Sequence, residues 1–327
     1  MGDWQNRSVF VVGLGSIGQR HIRVLTGLGV KKISIFDIQP TLMEKTMELY
    51  PNIHAAVSFE EGLSSNPDCV FILTPPKLHI PQIIKAAQSG CHVFSEKPLS
   101  DTMDGVEHLR SVLDVAGITF GIGLCFRYHE GVCKLKHALN SGAVGRVVSI
   151  RAMMGEHFPT IRPDYRTLFS SKYSGAFDLT HDLDLAVWFA NGVVVQSSMI
   201  YGSYSDIGIE APDVVEIIMA FDNRCIANVH LDFFQQPRSR TLELLCTRGK
   251  LSLEFSSWDE YTLSIYKDDE KAWDRQTCKS RRDDMFACED RAFLKKISGE
   301  EAVVYGFEDG LATLELLHAA KDRKTGL

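Results

Sequence analysis

Between Ser8 and Leu124, short apolar runs rich in β-branched and aromatic residues alternate with longer stretches of helical period. That is the pattern of a parallel sheet built from βαβ units. Runs 9–12, 32–37, 53–56, 69–74, 92–95 and 118–123 predict strands, and stretches 16–27, 40–50, 80–89 and 103–115 predict helices, most of them stopping near a Gly or Pro. After a helix at about 131–140 the period changes to longer alternating strands at 147–156, 214–221, 225–234, 241–247, 250–255 and 262–266. The connections at 222–224 and 248–249 are short enough for hairpins, so this second sheet is expected to be mostly antiparallel. Stretches 283–297 and 307–321 close the chain as helices. The fold class is α/β: an N-terminal doubly wound parallel sheet of the Rossmann type, then an α+β domain with an open, mostly antiparallel sheet. The division falls at 1–124 and 125–327, with no linker long enough to separate the halves.

Composition narrows the classes. Hydrophobic residues at 45% and charged residues at 24% exclude a disordered or fibrous chain. A net charge of -7 repels a phosphate backbone, so no nucleic-acid partner is expected. The 8 cysteines are scattered without metal-ligand spacing and read as buried reduced thiols, with no metal expected. No signal peptide, myristoylation site or membrane-length apolar run stands out, which gives the expectation of a cytoplasmic protein with no membrane partner.

Gly13, Gly15 and Gly18 stand in G-x-G-x-x-G spacing between an apolar strand and a helix. The first allows the tight turn, the second lets a pyrophosphate approach the backbone, and the third lets helix and strand pack closely. Ser16 and Ile17 open that helix, whose unpaired N–H groups and partial positive charge suit phosphate. Asp37 ends the second strand, where a carboxylate can accept hydrogen bonds from both adenosine ribose hydroxyls. It would repel a 2′-phosphate, no Arg follows it directly, and Lys45 is the nearest basic residue on that side, so NAD is favoured over NADP.

Two further stretches carry more: Thr74-Pro75-Pro76-Lys77-Leu78-His79, and Gly90 to Ser100 with Glu96-Lys97-Pro98 at its centre. Together with the glycine loop, the chain closely resembles the Gfo/Idh/MocA family, over essentially its whole length. The resemblance implies hydride transfer between a nicotinamide and a carbinol carbon of a sugar, sugar derivative or cyclitol. It implies a first domain that binds the cofactor, with Thr74, Pro75, His79, Glu96 and Lys97 lining that site, and a second that binds substrate and oligomerises. Lys97 lies at the carboxyl edge of a strand, where its ammonium can hold the reacting oxygen and stabilise an alkoxide. Glu96 would orient it, Pro98 would stiffen the turn and is often cis in this family, and His79 would be structural or face the cofactor.

The second catalytic element is expected in the stretch Ser174 to Phe189. On a helix, Leu179, Leu183, Ala186, Val187 and Ala190 form a core stripe, while Asp178 and His181 share the opposite side at i, i+3. By resemblance His181 matches the family's catalytic histidine, converging with Lys97 on one carbon. The commoner pattern puts an aspartate four residues before that histidine, where this chain has Phe177; Asp178, at three, follows a branch near nonulosonate and surface-polysaccharide biosynthesis. Arg127, His157, Arg162, Tyr165 and Arg166, in two polar and aromatic stretches, would suit a polyhydroxylated or anionic ligand. The alternatives are a cofactor-retaining glycosidase or epimerase-like enzyme, and a non-catalytic dinucleotide-binding sensor. An antiparallel sheet with one uncovered face predicts a homodimer or homotetramer.

Overall fold

Strand β1 (Ser8–Val12) turns Val9 and Val11 to one side and Phe10 and Val12 to the other, and all four are buried. A strand covered on both faces loses the apolar–polar alternation of a half-wet one, hence its continuous hydrophobic run. With β2 (Lys32–Phe36), β3 (His54–Ala55), β4 (Cys69–Ile72), β5 (His92–Glu96) and β6 (Phe120–Gly123) it forms a parallel sheet of order β3-β2-β1-β4-β5-β6. Helices α1 (Ser16–Gly27), α2 (Pro40–Leu49), α3 (Phe59–Ser64), α4 (His79–Gln88) and α5 (Val106–Ala116) connect the strands. The strand order reverses between β1 and β4, so the crevice at their carboxyl ends is where such a sheet takes its ligand.

These coordinates are a computed structural model, which describes residues 3–168 and 175–322. Ser174, the first residue of the stretch proposed to carry the second catalytic element, lies outside them. The chain divides into two units: Met1–Cys125 with Asp283–Leu314, and Phe126–Arg282 with Glu315–Leu327. The expected division lies between residues 124 and 125, with 283–327 in the second half. The C-terminal assignment differs. Helix α10 (Arg282–Ile297) delivers Phe293, Leu294 and Ile297 to the core around Val9, Val11 and Phe71, and α11 (Phe307–Asp322) delivers Leu311 and Leu314 to the opposite core. Burial of those apolar residues outweighs their distance in sequence.

The second unit contains α6 (Glu130–Asn140), β7 (Val147–Gly155), the short turns α7 (Phe158–Ile161) and α8 (Tyr165–Leu168), α9 (Thr180–Ala190) and β8 (Val194–Gly202). After these come β9 (Val214–Phe221), β10 (Ile226–Asp232), β11 (Ser239–Cys246), β12 (Gly249–Phe255), β13 (Glu260–Lys267) and β14 (Ala272–Lys279). Their order is β14-β13-β12-β11-β7-β10-β9-β8, with β7 and β10 parallel and the other pairs antiparallel. Helix α9 lies against β7 and β10, and α6 against β12 and β13. On the opposite parity Arg151, Ile200 and Ile218 are exposed. β8 and β14 are additions to the sequence reading. Among the described residues no helix is long and apolar enough to cross a membrane.

Candidate functional site

The glycine loop follows β1 directly, and its three glycines answer to three constraints. Gly13 has φ +93°, and a Cβ there would lie 2.7 Å from the Leu73 carbonyl oxygen. At Gly18 a Cβ would come within 2.0 Å of the Gly13 oxygen. At Gly15 it would meet nothing within 4 Å: the space over this residue is open. Gly15 is also the N-cap of α1, and no side chain closes that helix end, where Ser16 and Ile17 begin the first turn. An open cradle at an uncapped helix N-terminus fits a pyrophosphate. The Asp37 carboxylate braces the loop, accepting from Leu14 N–H at 2.7 Å and from Gln39 N–H at 2.8 Å. It stands half-buried beyond β2.

Past β4, Thr74 donates its hydroxyl to Gln82 Oε1 at 2.6 Å, and Pro75 opens the turn into α4. His79, at the start of α4, is fully buried, with Nε2 2.7 Å from the Thr74 carbonyl and Nδ1 2.8 Å from that of Pro98. Burial outweighs these two carbonyls and holds the ring below the ordinary histidine range, so its one proton serves one carbonyl at a time. His79 thus ties the end of β4 to the end of β5. The Lys97–Pro98 peptide is cis. Glu96 is buried, and its Oε2 accepts from the Lys97 backbone N–H at 2.9 Å. Gly123 makes room for that carboxylate, since a Cβ there would sit 3.0 Å from Glu96 Cδ.

In the second unit α9 departs from the amphipathic reading. The helix begins at Thr180; Asp178 belongs to a preceding 3₁₀ turn, Gly175–Asp178, so helical i, i+3 spacing does not describe its relation to His181. Asp178 is exposed, and Phe177 is buried edge-on against Tyr201 at 5.0 Å. His181 is half-buried in the first turn, its ring 5.0 Å from that of Phe126. Asp182 and Asp184 are buried. Asp182 takes both forks of Arg240 at 2.9 and 2.8 Å, and Asp184 takes those of Arg127 at 2.9 and 2.6 Å. The Arg240 guanidinium lies 3.5 Å over the Phe126 ring that touches His181.

Several expected substrate residues are therefore occupied. Arg127 is in its buried ion pair and lies over Trp188. Tyr165 is buried and donates to the Ile207 carbonyl at 2.6 Å, and Arg162 pairs with its neighbour Asp164. Arg166 stays exposed, and His157 Nδ1 rests 2.6 Å from Thr160 Oγ1. Arg240 is a site neighbour absent from the expected set, although it shares strand parity with buried Leu242 and Leu244; an inward arginine on such a strand signals a buried acid.

A doubly wound sheet with an open glycine cradle at its switch point defines a dinucleotide-binding protein. The chain belongs to the Gfo/Idh/MocA family: residues 7–124 match its oxidoreductase domain with an NAD-binding Rossmann fold, and residues 132–252 match its C-terminal domain. The inositol 2-dehydrogenase/D-chiro-inositol 3-dehydrogenase of Lacticaseibacillus casei is 27% identical over 186 residues, 55% of this chain and 52% of that one. The match thus spans about half the length of that relative. The fold is shared with myo-inositol 2-dehydrogenase from Lactobacillus plantarum, at TM-score 0.82, 19% identity and coverage of 97% and 96%. It is shared too with the WlbA dehydrogenase from Bordetella pertussis, in complex with NADH and UDP-GlcNAcA, at TM-score 0.80, 20% identity and 97% of each chain.

Proposed function

We propose that this chain is an NAD-dependent dehydrogenase that transfers hydride between the cofactor and a secondary hydroxyl or ketone carbon of a sugar, sugar derivative or cyclitol. One observation carries the reading: Lys97 stands at the carboxyl end of β5 with its backbone fixed by a buried carboxylate, in the sheet that holds the open glycine cradle. When bound, the nicotinamide supplies the hydride acceptor or donor. Gly13 to Gly18 seat the pyrophosphate, Asp37 holds the ribose, and His79 keeps the loop after β4 against that after β5. The Lys97 ammonium stabilises the alkoxide oxygen, and the His181 imidazole takes or returns the hydroxyl proton, with Asp178 assisting. His157 and Arg166 are the remaining substrate contacts of the expected set of five, because Arg127, Arg162 and Tyr165 are engaged elsewhere. The names of the relatives, inositol dehydrogenases among them, support a polyhydroxylated substrate.

The test is a screen of inositols, sugars, sugar acids and nucleotide sugars with NAD, read as NADH absorbance. Lys97→Ala and His181→Ala should each lower the turnover of a hit by about 10²–10⁴-fold while NADH still binds. Product formed with no net NADH would favour the cofactor-retaining alternative. Cofactor binding with no turnover of any polyol would favour the sensor.

A further inference from the structure

The proposed mechanism leaves one buried ionisable cluster of the first unit unused. His21, on α1 just beyond the glycine loop, is 0% exposed and ringed by Phe71, Phe94 and Phe286 at centroid distances of 5.8, 5.4 and 5.6 Å. Its Nδ1 lies 2.9 and 3.1 Å from the two carboxyl oxygens of Asp290 on α10, and its Nε2 lies 3.3 Å from Glu96 Oε1. Ionised carboxylates only accept hydrogen bonds, so an imidazole between two of them must carry a proton on each nitrogen. The neighbouring acids overcome burial and push His21 up to about 10. The bridge sets one cation between two carboxyl groups, that of Asp290 raised by burial, and the other oxygen of Glu96 ends on the Lys97 N–H. Glu289, 1% exposed with neither oxygen hydrogen-bonded, is pushed well above the carboxylate range by burial and by Glu96 and Asp290, and so adds no charge.

We propose that the Asp290–His21–Glu96 bridge is a positioning device that sets the charge felt at the nicotinamide end of the cofactor site, and with it the balance between binding NAD and NADH. This rests on the cofactor reading above. The oxidised ring is cationic and the reduced ring neutral, so a buried charge at the root of Lys97 discriminates between them, whereas simple loosening of the site weakens both.

The experiment titrates the full chain with NAD and with NADH, without any substrate, following protein fluorescence. His21→Asn removes the cation and should shift the ratio of the two dissociation constants by about threefold or more toward tighter NAD. Glu96→Gln removes an anion and should shift it the opposite way, while Glu289→Gln, neutral for neutral, should leave it in place. Equal changes in both affinities, or shifts of the same sign in the first two variants, overturn the proposal. Should His21→Asn fail to fold, the direction of the Glu96→Gln shift decides alone. A wild-type chain that binds neither form overturns the cofactor reading together with this one, whereas a fruitless substrate screen touches only the dehydrogenase reading.

Discussion

A single methyl group tests the glycine loop. Gly18→Ala would set a carbon 2.0 Å from the Gly13 oxygen, and because the obstacle is backbone, the loop or α1 must move. The expected outcome is a loss of NADH affinity of tenfold or more with a lower melting temperature, measured by titration and thermal unfolding. Gly15→Ala meets nothing within 4 Å, so it should fold normally and lose affinity alone. Asp37→Ala should weaken NAD and relax rejection of NADP in parallel titrations; a wild-type preference for NADP would overturn the ribose argument. These positions were legible in the sequence because each demand is local: a turn, an approach, a packing contact. Arg127 was not, since its partner Asp184 lies 57 residues away and nothing nearby marks the arginine as buried. A fork that suits a substrate carboxylate suits an aspartate equally well.

Helix α9 and the strands around it show where periodicity misleads. Asp182 and Asp184 look solvent-facing by type, but the helix is buried on most sides, and Arg240 and Arg127 neutralise them inside. Arg240→Met should destabilise the chain by about 3–5 kcal/mol in chemical denaturation, because Asp182 is left buried without its ion pair. The double change Arg240→Met with Asp182→Leu should recover most of that loss. On β10, His230 sits between Asp232 at 2.9 Å and Glu216 at 2.6 Å, and the hydrogen bond to Asp232, ahead of that to Glu216, raises it to about 9. A histidine raised from its unfolded value near ~6.5 contributes stability that is complete below that value and lost as pH rises through about 9. Wild type should therefore exceed His230→Gln in denaturation at pH ~6, with the gap closing by pH ~10. Two strands escaped the sequence reading for physical reasons. In β8 the alternation is broken by Gln196-Ser197-Ser198, and β14 is an exposed edge whose charged residues guard it against further pairing.

At the scale of the molecule, both sheet types were legible, since continuous apolar runs and alternating ones report covered and half-covered strands directly. The proposed homodimer or homotetramer follows from the sparsely covered face that carries Ile200 and Ile218. Light scattering should show a mass at least twice that of the chain, and Ile218→Asp should halve it; a monomeric wild type would sink that proposal. What sequence order concealed is that the first unit is discontinuous: no local pattern states that Phe293 covers Phe71. On the ribosome, the dinucleotide fold lacks part of its core until α10 has emerged, after residues 126–282 of the second unit have been synthesised. A nascent chain stalled near residue 125 should consequently remain protease-sensitive and in need of chaperones, the nucleotide-binding half being the first to be begun yet left waiting for residues made long after it.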